Sequence, residues 1–512
     1  MMANKIRGEI KEYDIIVVGT GAGNIVLEHA MEAGLKAAQV EKGKFGGTCL
    51  TRGCIPTKVM VTATEMLREF KEADKIGVKA DNIHLDWKVL SERVWNKIDE
   101  SKGLEKFYLR QKNLDVYRGV ASFIDNKTME VELSEGTKQL ISADKIILNV
   151  GGRTRIPEVD GLEEAGYVTS ETFFGEKYPK EPYRSLGVIG GGPIGTEFAS
   201  TFSALGTEVK IIQRNVRLVP KEDEEISAAV LEHMKHNGIE VFLNKAMKSV
   251  RVENGKKIIT IADKTTQKLT EVAVDEILIA SGVVSNGDLL NLENTDIKVD
   301  KNGWIMTNEF LETSVEGIWA VGDINGRQQF RHKANYEADI VSHNLFVAPS
   351  EEEFRWAEYN LVPAVTFCYP EVAHIGLTEK EAVERGYEIQ VGVNNYYDTA
   401  KGYALGYEPG DALKAFFKVI IDKNNGRILG AHGIGKDASI MIQPYLNLMN
   451  AGKHSLEPIN EEIGSERTKR LRREGLKRKL KPHSFDTVRE TMVPHPTLAE
   501  IPIWTKYYMK DK

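Results

Sequence analysis

Two thiols carry the clearest chemistry in this chain. Cys49 and Cys54 stand five positions apart in GGTCLTRGCIPTK, at the mouth of an apolar stretch from Val59 to Phe70 that reads as a helix. Pro56 suits a first helical turn, and the positive end of a helix dipole favours a thiolate over a thiol. A reversible disulfide is the chemistry expected of such a pair. Half of a zinc site would need further Cys or His ligands clustered in the same way. The only other cysteine is Cys368, in TFCYP, which reads as a small core residue, so no metal site is expected.

The elements around these thiols repeat. Residues 14 to 41 read as an apolar strand, a glycine turn, a helix from Asn24 to Ala33 and a second strand ending in Glu41. Gly19, Gly21 and Gly23 would let the turn approach a pyrophosphate at a helix N-terminus, and Glu41 would accept hydrogen bonds from a ribose. Asn24 stands where the fingerprint has its third glycine. The same plan returns from Leu186 to Gln213, with Gly190, Gly192 and Gly195 complete. Its second strand ends in Gln213 rather than an acid, and Arg214 and Arg217 follow. Arginines there suit the extra phosphate of NADP, so NADP is expected ahead of NAD. Strand-like runs ending in glycine close the two units at 145–152 and 276–282, and EGIWAVGD ends in the acid Asp323. Beyond about Pro349 the alternation is that of an antiparallel sheet with helices on one side.

Length and composition fit this plan. A chain of 512 residues suggests three or four domains. With 68 basic and 75 acidic side chains, the formal charge of -7 gives no global reason to coat nucleic acid or an anionic membrane. Three cysteines do not make a secreted disulfide framework, the first residues lack a signal-peptide pattern, and no run approaches the ~20 apolar residues of a membrane helix. A cytoplasmic protein is expected. One segment is polarised: Arg467 to Lys481 holds nine basic residues and one acid. It reads as a solvated helical insertion, with docking to an acidic partner as the alternative.

Taken together, GGTCLTRGCIPTK, GGGPIGTEFAS, IWAVGDING with HKA downstream, and HPTLAE resemble the pyridine nucleotide-disulfide oxidoreductases, the flavoprotein family of dihydrolipoamide dehydrogenase, glutathione reductase and mycothione reductase. The resemblance covers nearly the whole chain. It implies an α/β protein with two Rossmann-like nucleotide-binding domains and an α+β C-terminal interface (dimerisation) domain. The expected bounds are 1–152 for the first part of the FAD domain, 153–282 for the NAD(P)H domain, 283–350 for a central domain that completes the FAD site, and 351–512 for the interface domain, with a basic insertion at about 454–490. FAD would lie on the first fingerprint, with Glu41, Lys42, Gly47, Thr48 and Asp323 about it, and NADP or NAD on the second.

The resemblance also implies roles. Cys54 would face the flavin and form the charge-transfer thiolate, and Cys49 would exchange with a small dithiol or disulfide substrate. Lys58 would sit near the flavin paired with Glu197, a countercharge that a buried ammonium needs. His495 would be the general acid or base and Glu500 its orienting partner, both reaching into the partner subunit's site of a homodimer. NVGG at 149–152 and Val283 depart from the family pattern in the coenzyme-contacting turns. HPTLAE looks like dihydrolipoamide dehydrogenase. GTGAGN, the two arginines, VSNGDLL and IGKDASIMIQP look like mycothione reductase. A reading of another class makes the basic segment the functional part of a docking or scaffold flavoprotein with a vestigial redox site; intact Cys49, Cys54, Lys58, Glu197 and His495 speak against it.

Overall fold

The computed structural model describes residues 9–505, so most of the N-terminal stretch read for a signal lies outside it. Five parallel strands form the first sheet: Leu114–Phe123, Ala37–Glu41, Ile10–Val18, Lys138–Leu148 and Ile318–Ala320. Antiparallel Thr128–Leu133 bridges Leu114–Phe123 and Lys138–Leu148. The central strands are nearly continuous runs of buried Ile, Val, Leu and Ala, as a sheet covered on both faces requires. Because the strands are parallel, the turns at Gly19, after Glu41, at Asn149 and at Asp323 all fall at one edge. That edge is where an open α/β sheet binds its ligand.

The second unit is a smaller parallel sheet ordered Glu276–Ile279, Ser185–Ile189, Glu208–Ile212, Glu240–Phe242. Three antiparallel strands between Lys245 and Val274 pack Ile259, Ile261, Val272 and Val274 against it. The chain enters and leaves this unit side by side, through the antiparallel pair Gly152–Thr154 and Val283–Ser285.

The third unit is an antiparallel five-stranded sheet ordered Ala364–Thr366, Val372–Gly376, Ile428–Ile434, Phe416–Asp422, Ile389–Asn395. Helices Ala438–Met441 and Gln443–Asn450 bury Ala438, Ile442 and Leu446 against one face. The basic segment is only partly helical. Glu466–Glu474 is a helix capped by Ser465, and Lys477–Leu480 is a strand that pairs with Gly452–Ser455. No helix among the described residues is long and apolar enough to cross a membrane.

Candidate active site

The residues around the thiols fold as two consecutive helices. Cys49 lies in the single turn Gly47–Thr51, and Cys54 opens the long helix Cys54–Glu72, which buries Met60, Val61 and Thr64. Both cysteines are free thiols. From the far end of the chain, His495 places Nε2 3.2 Å from Cys49 Sγ, and its Nδ1 lies 2.6 Å from Glu500 Oε1. The Cys49, Cys54 and His495 donor atoms all lie within 4.8 Å of one another.

This geometry sets the protons. The Cys54 thiol donates to Cys49, and His495 adds a hydrogen bond and a positive charge, so Cys49 falls well below the usual thiol range although burial opposes it. Cys54 is pushed well up, first by its bond to Cys49 and then by burial. Burial also opposes charge on His495, yet its bonds to Cys49 and Glu500 raise it to about 9. These shifts favour a Cys49 thiolate against a His495 imidazolium. The resemblance puts the charge-transfer thiolate on Cys54; here the hydrogen bond to Cys49 and burial raise the Cys54 thiol, while the Cys54 bond and His495 lower Cys49.

Within the single chain His495 and Glu500 lie beside Cys49, the place the resemblance gives them from a partner subunit. Lys58 differs from expectation. It lies 3.5 Å from Glu371 and 3.8 Å from the centroid of the Phe367 ring, not in an ion pair with Glu197. Glu197 instead accepts the Phe367 backbone N–H at 2.9 Å; burial raises its carboxyl to about 7, opposed by that bond and by the charge of Lys58.

The first glycine turn fits a dinucleotide. Gly19 has φ +97°, and a Cβ there would strike the Asn149 carbonyl. Glu41 is fixed by Thr20, whose backbone N–H and hydroxyl both donate to Oε2, and by the Gly43 N–H on Oε1. Oε1, with one bond, keeps capacity for a ribose hydroxyl. Gly21, Gly23 and Gly47 line the same turn, Thr48 is exposed beside Cys49, and Lys42 points to solvent. The turn that carries Asp323 is held by a buried network: fully buried Lys333 donates to Gly322 O, Asn325 Oδ1 and Glu337 Oε2, while Glu337 accepts from the Gly322 N–H and Asn325. Burial raises the Asp323 carboxyl.

The second turn opens on a cleft of about 2590 Å³ between the second and third units. Gly190, Gly192, Gln213, Arg214 and Arg217 line it. A Cβ on Gly195 would strike the Gly190 carbonyl, so helix Pro193–Ala204 packs on the turn as this fingerprint requires. The Gln213 side chain accepts the Gly191 N–H and donates to Arg217 O. Arg214 is exposed, whereas Arg217 pairs with Glu224 at 3.0 Å.

Two further residues were not singled out from the sequence. Arg331, which opens helix Arg331–Ser342 just before HKA, carries a charge that favours the thiolate form of both cysteines. Only its place beside that motif hinted at it. Asn149 occupies the first position of the departing turn NVGG. With its amide oxygen toward the loop it accepts from the Gly21, Ala22 and Gly23 N–H groups at 2.9, 3.2 and 3.0 Å. Cys368 is a buried core residue bonded to Pro370 O at 3.2 Å, its thiol pushed up by burial.

Residues 13–338 match the family model described as pyridine nucleotide-disulphide oxidoreductase, and residues 362–465 match the dimerisation domain of the same group. A mycothione reductase of Mycobacterium tuberculosis is 32% identical over 454 residues, covering 88% of this chain and 95% of the relative. A dihydrolipoyl dehydrogenase of Zymomonas mobilis is 30% identical over 489 residues, 95% of this chain and 96% of the relative. Among solved structures, the Cu(II) complex of the HOCl-induced flavoprotein disulfide reductase RclA from Escherichia coli aligns with TM-score 0.74 at 25% identity, covering 98% of this chain and all of that one.

Proposed function

Given that this chain belongs to the pyridine nucleotide-disulphide oxidoreductase family, whose members are FAD-dependent enzymes acting on sulfur groups with a nicotinamide, we propose that Cys49 and Cys54 exchange electrons with a small dithiol or disulfide of the dihydrolipoamide type. The observation that carries this reading is the Cys49–His495–Glu500 relay beside Cys54. FAD, when bound on the first turn, supplies two-electron transfer between the nicotinamide and the thiol pair. Gly19, Gly21, Gly23, Glu41 and Asp323 would hold it.

The protein's own steps balance as follows. The Cys49 thiolate attacks one sulfur of the substrate disulfide, that S–S bond breaks, and the leaving thiolate takes the His495 proton. Neutral His495 then accepts the Cys54 proton. Cys54 attacks Cys49 Sγ, closing the protein disulfide and expelling a second thiolate, which His495 protonates. One substrate disulfide gives two thiols and one protein disulfide. The two electrons that reopen the protein disulfide come from the nicotinamide, and the reverse sequence oxidises a dithiol. Homodimer formation fits the matched dimerisation domain.

A second reading, an NADPH-dependent reductase of a low-molecular-weight disulfide of the mycothione type, is favoured by Arg214 standing free at the rim of the coenzyme cleft. The same residue supports NADP over NAD. A docking role for 467–481 would rest on Arg473, Lys477, Lys479 and Lys481, since Arg467, Arg470, Arg472 and Arg478 pair with acids of their own chain. Anaerobic titration of the FAD-loaded protein with NADPH and with NADH, followed by lipoamide, tests the reading. Flavin bleaching that lipoamide reverses supports it. Bleaching that only another small disulfide reverses moves the assignment to the second reading, and a flavin that neither nucleotide reduces overturns both.

A further inference from the structure

Away from the thiols, a row of three side chains crosses the third sheet where it faces the second unit. His374 of Val372–Gly376 stands opposite His432 of Ile428–Ile434, and His432 stands opposite Lys418 of Phe416–Asp422. Directly opposed residues share one face of a sheet. That face meets the start of helix Glu224–His236, where the second unit supplies Glu222, Asp223 and Glu225. The Lys418 end of the row is complete. Its ammonium bonds Asp223 Oδ1 at 2.8 Å and Glu225 at 3.2 Å, and it also pairs with Glu379. Three carboxylates against one lysine leave the seam with an excess of negative charge, which favours a further cation nearby.

The histidine end has an open valence. The two rings lie 5.6 Å apart between centroids and 21° from parallel. His432 is fully buried, and its Nε2 lies 2.9 Å from the Leu377 carbonyl, which can only accept. Nε2 therefore carries the proton and Nδ1 keeps a bare lone pair. Among the described residues that Nδ1 has no partner, a costly arrangement for a buried nitrogen unless something ligates it. His374 Nδ1 lies 2.7 Å from Oε2 of buried Glu222. One ligand atom each from Glu222, His374 and His432 lies within 4.8 Å of the other two. Farther out, Glu381 and Lys221 act on His374 with opposite charges.

Two imidazole nitrogens and a carboxylate oxygen are the donor set of a borderline divalent ion such as Zn(II), with a fourth position for water. Ligands about 2.0–2.1 Å from a tetrahedral ion stand about 3.3 Å apart, so the Glu222–His374 pair opens slightly as the ion replaces the proton they share. Glu222 and His374 line the coenzyme cleft, which gives the ion a way in.

We infer that Glu222, His374 and His432 form a Zn(II) site at the seam between the second and third units. Glu222 belongs to the coenzyme-binding unit and both histidines to the third sheet, so a bound ion ties the two units together on the wall of the cleft. The site uses none of the thiol-exchange residues and does not depend on the disulfide reading. No spacing motif announces it, because its ligands come from three separate segments, and the sequence gave no expectation of a metal.

The Cys49, Cys54 and His495 cluster also offers metal ligands, so the test closes those thiols first. FAD-loaded, full-length protein is oxidised with diamide until mass spectrometry finds no free thiol at Cys49 or Cys54, then titrated with Zn(II) against a chromogenic chelator. One Zn(II) per chain is expected in wild type. Glu222→Gln and His374→Gln are each expected to weaken it by at least about a hundredfold, since losing a ligand costs more than losing an outer partner. No uptake by the oxidised wild type overturns the inference, as does uptake that survives both substitutions. A second measurement needs no variant: X-ray absorption of the oxidised wild type loaded with Co(II) is expected to show a four-coordinate shell with imidazole nitrogens and no sulfur. A shell of oxygens alone, or one containing sulfur, places the ion elsewhere and overturns the inference.

Discussion

Glu500 Oε1 stands 2.6 Å from His495 Nδ1 while the opposite nitrogen of the same ring faces Cys49, so one imidazole is charged from both sides. The carboxylate fixes the ring's orientation and stabilises its protonated form. Replacing Glu500 with Gln removes the charge and keeps the shape. The expected result is that the alkaline limb of disulfide reduction, which follows loss of the His495 proton near pH 9, moves toward neutrality by about one unit or more. The sign follows from the shift: the folded-state pKa is raised, so the imidazolium's stabilising contribution is complete below about pH 6.5 and disappears as pH rises through about 9. A pH–rate profile of the variant identical to wild type would rule out this coupling.

Cys49 owes its low pKa first to the Cys54 thiol. Cys54→Ala should therefore slow alkylation of Cys49 at pH 7 as well as abolish turnover. The comparison with Cys54→Ser is informative, because a serine hydroxyl still donates a hydrogen bond. Its alkylation rate should lie between those of Cys54→Ala and wild type. Equal rates in all three proteins would show that Cys54 has no part in charging Cys49.

Arg214 and Arg217 differ in what they already hold. Arg214 is exposed, and Arg217 is paired with Glu224. Arg214→Ala should raise KM for NADPH on the order of tenfold or more, with little change for NADH, as expected for loss of a charge-assisted phosphate contact. Arg217→Ala should have the smaller effect. Equal changes for both coenzymes would withdraw the NADP preference.

The Arg472–Glu309 pair should dominate the stability of the insertion. Truncating Arg472 to Ala leaves the buried Glu309 carboxylate without its bidentate partner, a change that costs about 3–5 kcal/mol in comparable buried pairs. Urea unfolding would register it as a lowered midpoint. Glu309→Gln with Arg472→Ala should lose less, since no buried charge is then left alone. Arg473→Ala, at an exposed position of the same helix, should move the midpoint by no more than about 0.5 kcal/mol.

Local patterns made much of this protein legible. Glycine spacing, a strand before it and an acid or arginine after it depend on neighbours within about thirty residues, so both nucleotide-binding units and the edge that carries Glu41 could be read without coordinates. The thiol pair was equally plain, because Cys49 and Cys54 share one segment. Arg331 and Asn149 were harder. Their side chains matter through what adjacent strands and helices bring beside them, and neither stands at a position whose residue type announces chemistry.

Sequence alone singled out the candidate residues for exchanging electrons and protons, and the kind of sheet they sit in, since periodicity and turn chemistry are properties of the local chain. Tertiary structure decided the partnerships. Lys58 lies 3.5 Å from Glu371, while Glu197 accepts the Phe367 backbone N–H. Arg472 and Arg478 turn inward, where buried Glu309 and half-buried Glu358 need a countercharge. His495 meets Cys49 across 446 residues of chain, a contact that no local pattern encodes.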